Sequence, residues 1–82
     1  MDHAILAAIQ RFPDRALAIE ARADGDEEFH SLCTDLADAE AALGRWERSP
    51  SPVREERCTE YGELIRDLAI EIAGTLDRNP GR

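Results

Sequence analysis

The sequence predicts an all-α fold: an antiparallel hairpin of two long helices, with a shorter, proline-interrupted N-terminal helical segment packed on it. Three observations carry that prediction. Apolar residues recur at alternating steps of three and four along most of the chain, the period of a helix face rather than of a strand. A serine–proline run, Ser49-Pro50-Ser51-Pro52, separates two such stretches of similar length. The 82 residues leave room for a single small domain, 1–82.

The first stretch places Ile5, Ile9, Phe12, Ala16, Ile19 and Ala23 on one stripe. Pro13 falls inside it, and a proline in a helix interior removes a hydrogen bond and clashes with the preceding turn. The expectation is a break at Phe12-Pro13, giving helices over about 3–11 and 13–23. Asp14 then lies in the first turn of the second piece, where a negative charge suits the helix dipole. Asp24 is the expected N-cap of the next helix, with Glu27 three residues on in capping-box spacing. That helix is expected over 25–47, with a seam of Phe29, Leu32, Leu36, Ala39, Leu43 and Trp46 in heptad a/d order. After the serine–proline turn, Ser51 is placed as a cap and Pro52 at the first helical position. The last helix is expected over 52–78, with a seam of Cys58, Tyr61, Ile65, Leu68, Ile72 and Thr75. Asn79-Pro80-Gly81 is its stop signal.

A short loop makes the two long helices antiparallel neighbours. Facing position numbers then sum to about 100 or 101, which sets Phe29 against Ile72, Leu32 against Leu68, Leu36 against Ile65 and Leu43 against Cys58. Ala39 meets Tyr61, a small residue opposite a large one, as a packed layer requires. Leu6, Leu17, Leu64, Ile70 and Leu76 lie off the seams. Some of them must pack the first segment onto the hairpin. Ile70 falls near the face opposite Leu68 and is hard to bury in one copy, which points to self-association or a protein partner. Leu6, Leu17, Leu64 and Ile70 are the candidate interaction residues.

Charge narrows the function. The net charge is −8, from 18 acidic residues against 10 arginines and no lysine. Such a surface repels phosphate backbones and argues against direct nucleic-acid binding. It suits a charged surface in water or a basic protein partner. No stretch approaches the roughly 18 unbroken apolar residues that span a bilayer. The apolar run Ala4–Ile9 lacks a basic leader, so it is not read as a signal peptide, and the expected compartment is the cytoplasm, where Cys33 and Cys58 stay reduced.

Few constellations could carry chemistry. Glu27 and His30 stand in the Glu-x-x-His spacing of ferritin-like metal sites, with Glu60 and Glu63 as carboxylates available across an oligomer interface. Phe29 holds the core position between them, so the plainer expectation is a capping Glu27, a surface His30, and no cofactor. His30 and Cys33 share one side of a helix, but Cys58 faces Leu43, about 15 Å from Cys33 along the axis, which rules out a shared metal or a disulfide. The run Asp24–Glu28 is too short for a calcium loop and serves as a cap. Ser31 has no partner base, and the chain has no glycine-rich phosphate loop. Arg45, Arg48, Arg54 and Arg57 gather near the hairpin tip, interleaved with Glu47, Glu55 and Glu56, and read as a solvated tip.

Phe12-Pro13, Ile19, Phe29, Leu32, Leu43 and Glu47, followed by Leu68, Glu71, Ile72 and Leu76, fall at the offsets of a known family. In these positions, across about 12–76, the chain resembles the small bacterial helical-hairpin proteins of the YdcH type. It departs from them where Leu68-Ala69-Ile70-Glu71 stands in place of a lysine-bearing run, and in its acidic balance. The resemblance implies a helical hairpin and brings no catalytic residue with it. The functional expectation is a non-enzymatic interaction or oligomerisation module. Its alternatives are a metal-binding ferritin-like oligomer using Glu27 and His30, and an acidic inhibitor or regulator of a basic protein.

Overall fold

The computed structural model describes residues 2–78. Among them the chain forms four α-helices, α1 (His3–Arg11), α2 (Ala16–Gly25), α3 (Glu27–Glu47) and α4 (Arg54–Asp77), with a 3-10 turn over Pro13–Arg15. The expected stop at Asn79-Pro80-Gly81 lies outside the described residues.

α1 begins at Asp2, whose carboxylate accepts the Ala4 N–H at 2.7 Å. It ends at Arg11, and the Phe12 N–H closes the last turn on the Ala8 carbonyl at 2.9 Å. The break at Phe12-Pro13 is therefore present. Pro13 opens a 3-10 turn rather than an α-helix, and α2 starts three residues later than expected, at Ala16.

Helix α3 starts two residues later than expected, at Glu27. α2 runs on through Gly25, so Asp24 sits in its last turn, and the cap is Asp26, in extended backbone at φ −137°, ψ 100°. The Asp26 carboxylate accepts the Phe29 N–H at 3.1 Å and the Arg22 Nε–H at 3.0 Å. It thus closes α3 and ties it to the end of α2. Glu27 becomes the first helical residue and has no capping-box role, though its charge and that of Glu28 suit the helix N-terminus.

The turn between α3 and α4 uses its serines in a different way from a helix cap. Ser49 Oγ accepts the Ser51 N–H at 3.1 Å, and Ser51 Oγ accepts the Val53 N–H at 3.2 Å. These side-chain turns hold the prolines in a bend. Pro52 stays in that bend and α4 begins at Arg54, with Val53 as its uncapped boundary. The Arg54 Nε–H donates to the Glu47 carbonyl at 3.0 Å. This bond satisfies a helix-end acceptor of α3. It also registers the two helices at positions 47 and 54, whose sum is 101.

α3 and α4 pack along most of their length, and α1 lies on another side of α3. One core cluster joins Ala4, Ile5 and Ala8 of α1, Ile19 of α2, Phe29, Cys33, Leu36 and Ala39 of α3, and Ile65, Leu68, Ile72 and Leu76 of α4. Phe29 and Ile72 are both fully enclosed in it. The expected seam of α3 is correct at Phe29, Leu36 and Ala39, whereas Leu32 and Leu43 are only half-buried and Cys33 is fully buried. The reason is geometric: an a/d seam describes a helix with one neighbour, and α3 packs against α1, α2 and α4. Cys33 is enclosed in the core cluster to which α1 and α2 contribute along with the hairpin. At the other end, Leu76 is the off-seam residue that packs the first segment onto the hairpin, buried beside Ala18, Ala21 and Arg22 of α2.

Candidate interaction surface

The four expected interaction residues are all exposed: Leu17 at 83%, Ile70 at 64%, Leu64 at 44% and Leu6 at 41%, with Val53 as a further exposed apolar side chain. They do not form one patch. Leu6 lies on α1 and Leu17 on α2, and the two residues on α4 border separate grooves along the hairpin.

Leu64 borders the smaller groove, about 430 Å³, which also takes in Ala39 and Tyr61. Here the expected small-against-large pairing leaves a half-covered tyrosine at the surface. Ile70 borders the larger groove, about 690 Å³, on the opposite flank of α4. Its lining is apolar and low: Phe12, Leu43, Gly44, Gly62, Ala69 and Ala73 contribute. A Cβ built on Gly62 would meet nothing within 4 Å, so this glycine is not required by packing inside the chain. The groove's walls carry charge, with Arg11 Nη2 paired to Glu40 Oε2 at 3.0 Å on one side and Arg66 on the other.

The small residues of this groove were not singled out by the sequence reading. The signal was available in part: Gly62, Ala69 and Ala73 recur at helical spacing just beside the Ile65–Leu68–Ile72 seam. What the stripe lacked was a large apolar member to mark it as a packing face.

Glu27 and His30 are not brought to a shared interior site. Glu27 is exposed, and the His30 Nε2 lies 2.8 Å from Asp2 Oδ2, linking α3 to the first turn of α1. That bond, followed by the Ala4 N–H, holds the Asp2 carboxyl below its ordinary range. Glu60 is engaged by the Arg57 guanidinium at 2.7 Å. Among the described residues no three histidine, cysteine or acidic side chains gather in a metal-binding group. Both cysteines are free thiols. Burial, and then the Asp2 charge, pushes the Cys33 thiol up to about 11, which makes it an inert core residue. Cys58 is half-buried near the start of α4.

At the hairpin tip the arginines are partly spoken for, Arg54 by the Glu47 carbonyl and Arg57 by Glu60. No helix among the described residues is long and apolar enough to cross a membrane. The chain matches no family model, no curated protein and no solved structure.

Proposed function

We propose that this chain is a small, non-enzymatic helical module that works by protein–protein association, with itself or with another protein. The observation that carries the reading is the exposure of large apolar side chains on ordered helices, foremost Ile70 on the rim of the 690 Å³ groove. Single exposed apolar residues are common. An exposed isoleucine beside an apolar, small-walled groove is instead the layout by which a helix face receives a partner helix. The likeness in apolar spacing to YdcH-type hairpin proteins supports the same class and brings no activity with it. The reading takes a reducing, cytoplasmic setting, which suits two free thiols.

Light scattering and chemical crosslinking of the purified chain, together with copurification from its native host, test the reading. Self-association or recovery of a stoichiometric protein partner is expected. A strictly monomeric chain that recovers no protein would overturn it.

The net charge of −8 favours a second reading, an acidic regulator that masks a basic protein. Salt separates the two. Binding through opposed surface charge weakens steeply with ionic strength, whereas binding through the apolar groove persists.

A further inference from the structure

We propose that the occupant of the groove beside Ile70 is a second copy of this chain, its α4 lying antiparallel to the first about a two-fold axis. The inference rests on the association reading above and gives that reading a partner and a face.

The arrangement along α4 points to it. Gly62, Arg66, Ala69, Ile70 and Ala73 all line the groove. At 3.6 residues per turn they fall within roughly 100° of one another, and Asp77, four residues beyond Ala73, continues the same stripe. Near the middle is a large side chain, Ile70, flanked by the methyls of Ala69 and Ala73. Toward the ends are opposite charges, Arg66 and Asp77. A two-fold interface must be self-complementary, so that residue i meets j and j meets i. Read backwards, this stripe meets that demand. The pairs Ile70 with Ala73 and Arg66 with Asp77 have the same midpoint along the helix, so one antiparallel alignment satisfies both pairs twice.

In that alignment Ile70 of each copy enters the groove of the other, against small walls and the apolar floor provided by Phe12 and Leu43. A side chain that is 64% exposed in one copy is covered in two. Arg66 takes part in no ion pair among the described residues. Across the axis it reaches the Asp77 carboxylate, whose Oδ1 is held by Arg15 at 3.1 Å, leaving Oδ2 for the second guanidinium. A different protein would have to supply an anion, a small residue and a cation in this order and spacing. A second α4 supplies them as it stands.

The test is sedimentation equilibrium of the full chain over about 1 to 100 µM, the range of a modest protein–protein affinity. The wild-type mass is expected to rise from 9.1 kDa toward twice that value. Ile70→Glu is expected to stay at 9.1 kDa with an unchanged far-UV helical spectrum, since position 70 is exposed in the single copy. Arg66→Glu is expected to weaken the dimer by about tenfold or more by placing like charges together across the axis. A wild-type chain at 9.1 kDa throughout overturns the proposal, and so does a dimer that Ile70→Glu leaves intact. The second result keeps the association reading and moves it to another face. A monomer that binds a different protein through Ile70 overturns only the second copy as occupant. A monomer that binds no protein removes the association reading too.

Discussion

Asp2 joins the start of α1 to α3: one carboxylate oxygen accepts the Ala4 N–H at 2.7 Å, and the other lies 2.8 Å from His30 Nε2. The same side chain caps one helix and docks it on another. Asp26 has the parallel role between α2 and α3, through the Phe29 N–H and Arg22. Each end of the N-terminal segment is thus tied to α3 through an aspartate.

Both aspartates are held below their ordinary value of 3.8, Asp2 first by the His30 bond and Asp26 first by the Phe29 N–H. A depressed folded-state value means the stabilisation is in place above the ordinary range and is lost as pH falls through the folded value. Thermal stability is accordingly expected to drop as the pH is taken below about 4. Asparagine keeps a capping oxygen and does not titrate, so Asp2→Asn with Asp26→Asn should flatten the decline. A melting series in which the double variant follows the wild-type acid profile would show that other carboxylates govern it.

The two thiols should separate kinetically. Cys33 is fully buried with its thiol pushed up to about 11, whereas Cys58 is half-buried. A disulfide-exchange reagent at neutral pH is expected to titrate one thiol promptly, and the second only on the timescale of unfolding or in denaturant. Mass mapping should assign the prompt label to Cys58. Two equally fast thiols would mean that the core does not enclose Cys33.

Core and surface substitutions on α3 should differ sharply. Leu36 is fully enclosed, and Leu36→Ala should cost about 2–5 kcal/mol through lost burial and a cavity. His30→Ala removes a half-exposed link and should cost clearly less, and what it does cost should appear as faster exchange of α1 amides. Chemical denaturation of both variants checks the order. A larger loss at His30 would place the structural centre at the Asp2 junction instead of the hairpin seam.

Gly62 gives a prediction of opposite sign. It lies within α4, and a Cβ there meets nothing within 4 Å. Gly62→Ala should raise the stability of the single chain by about 0.5–1 kcal/mol through helix propensity. A destabilised variant, seen in urea denaturation at low protein concentration, would mean that the groove floor is closer than its open shape indicates.

The stripes of apolar residues made the hairpin legible: Phe29, Leu36, Ile65, Leu68 and Ile72 are buried where helical spacing puts them. That an N-terminal segment packs on the hairpin was legible, and the side from which α1 approaches was not. Ala4, Ile5 and Ala8 bury it in the core, and Asp2–His30 and Arg11–Glu40, pairs separated by 28 and 29 residues, tie it to α3. Periodicity fixes which face of a helix is apolar and leaves open the direction from which a third helix approaches. For the same reason Cys33, which lies outside the expected seam, is fully enclosed. The cap of α3 was read as Asp24, and the structure uses Asp26, the equivalent side chain on the other side of Gly25. Asp26 caps because its carboxylate also reaches Arg22, a contact that exists only once α2 has folded. At the candidate surface, the exposed leucines and Ile70 were legible as leftovers from the seams, and the groove beside Ile70 was not, because glycine and alanine register weakly in any hydrophobic pattern.

The most direct test of the two-fold pairing through α4 is an isotope-filtered NOE experiment on an equal mixture of carbon-13-labelled and unlabelled chain. Contacts between Ile70 methyls of one copy and Ala73 methyls of the other are expected, alongside intrachain contacts between Phe29 and Ile72. Intrachain contacts alone, with every Ile70 methyl facing only water, would contradict it.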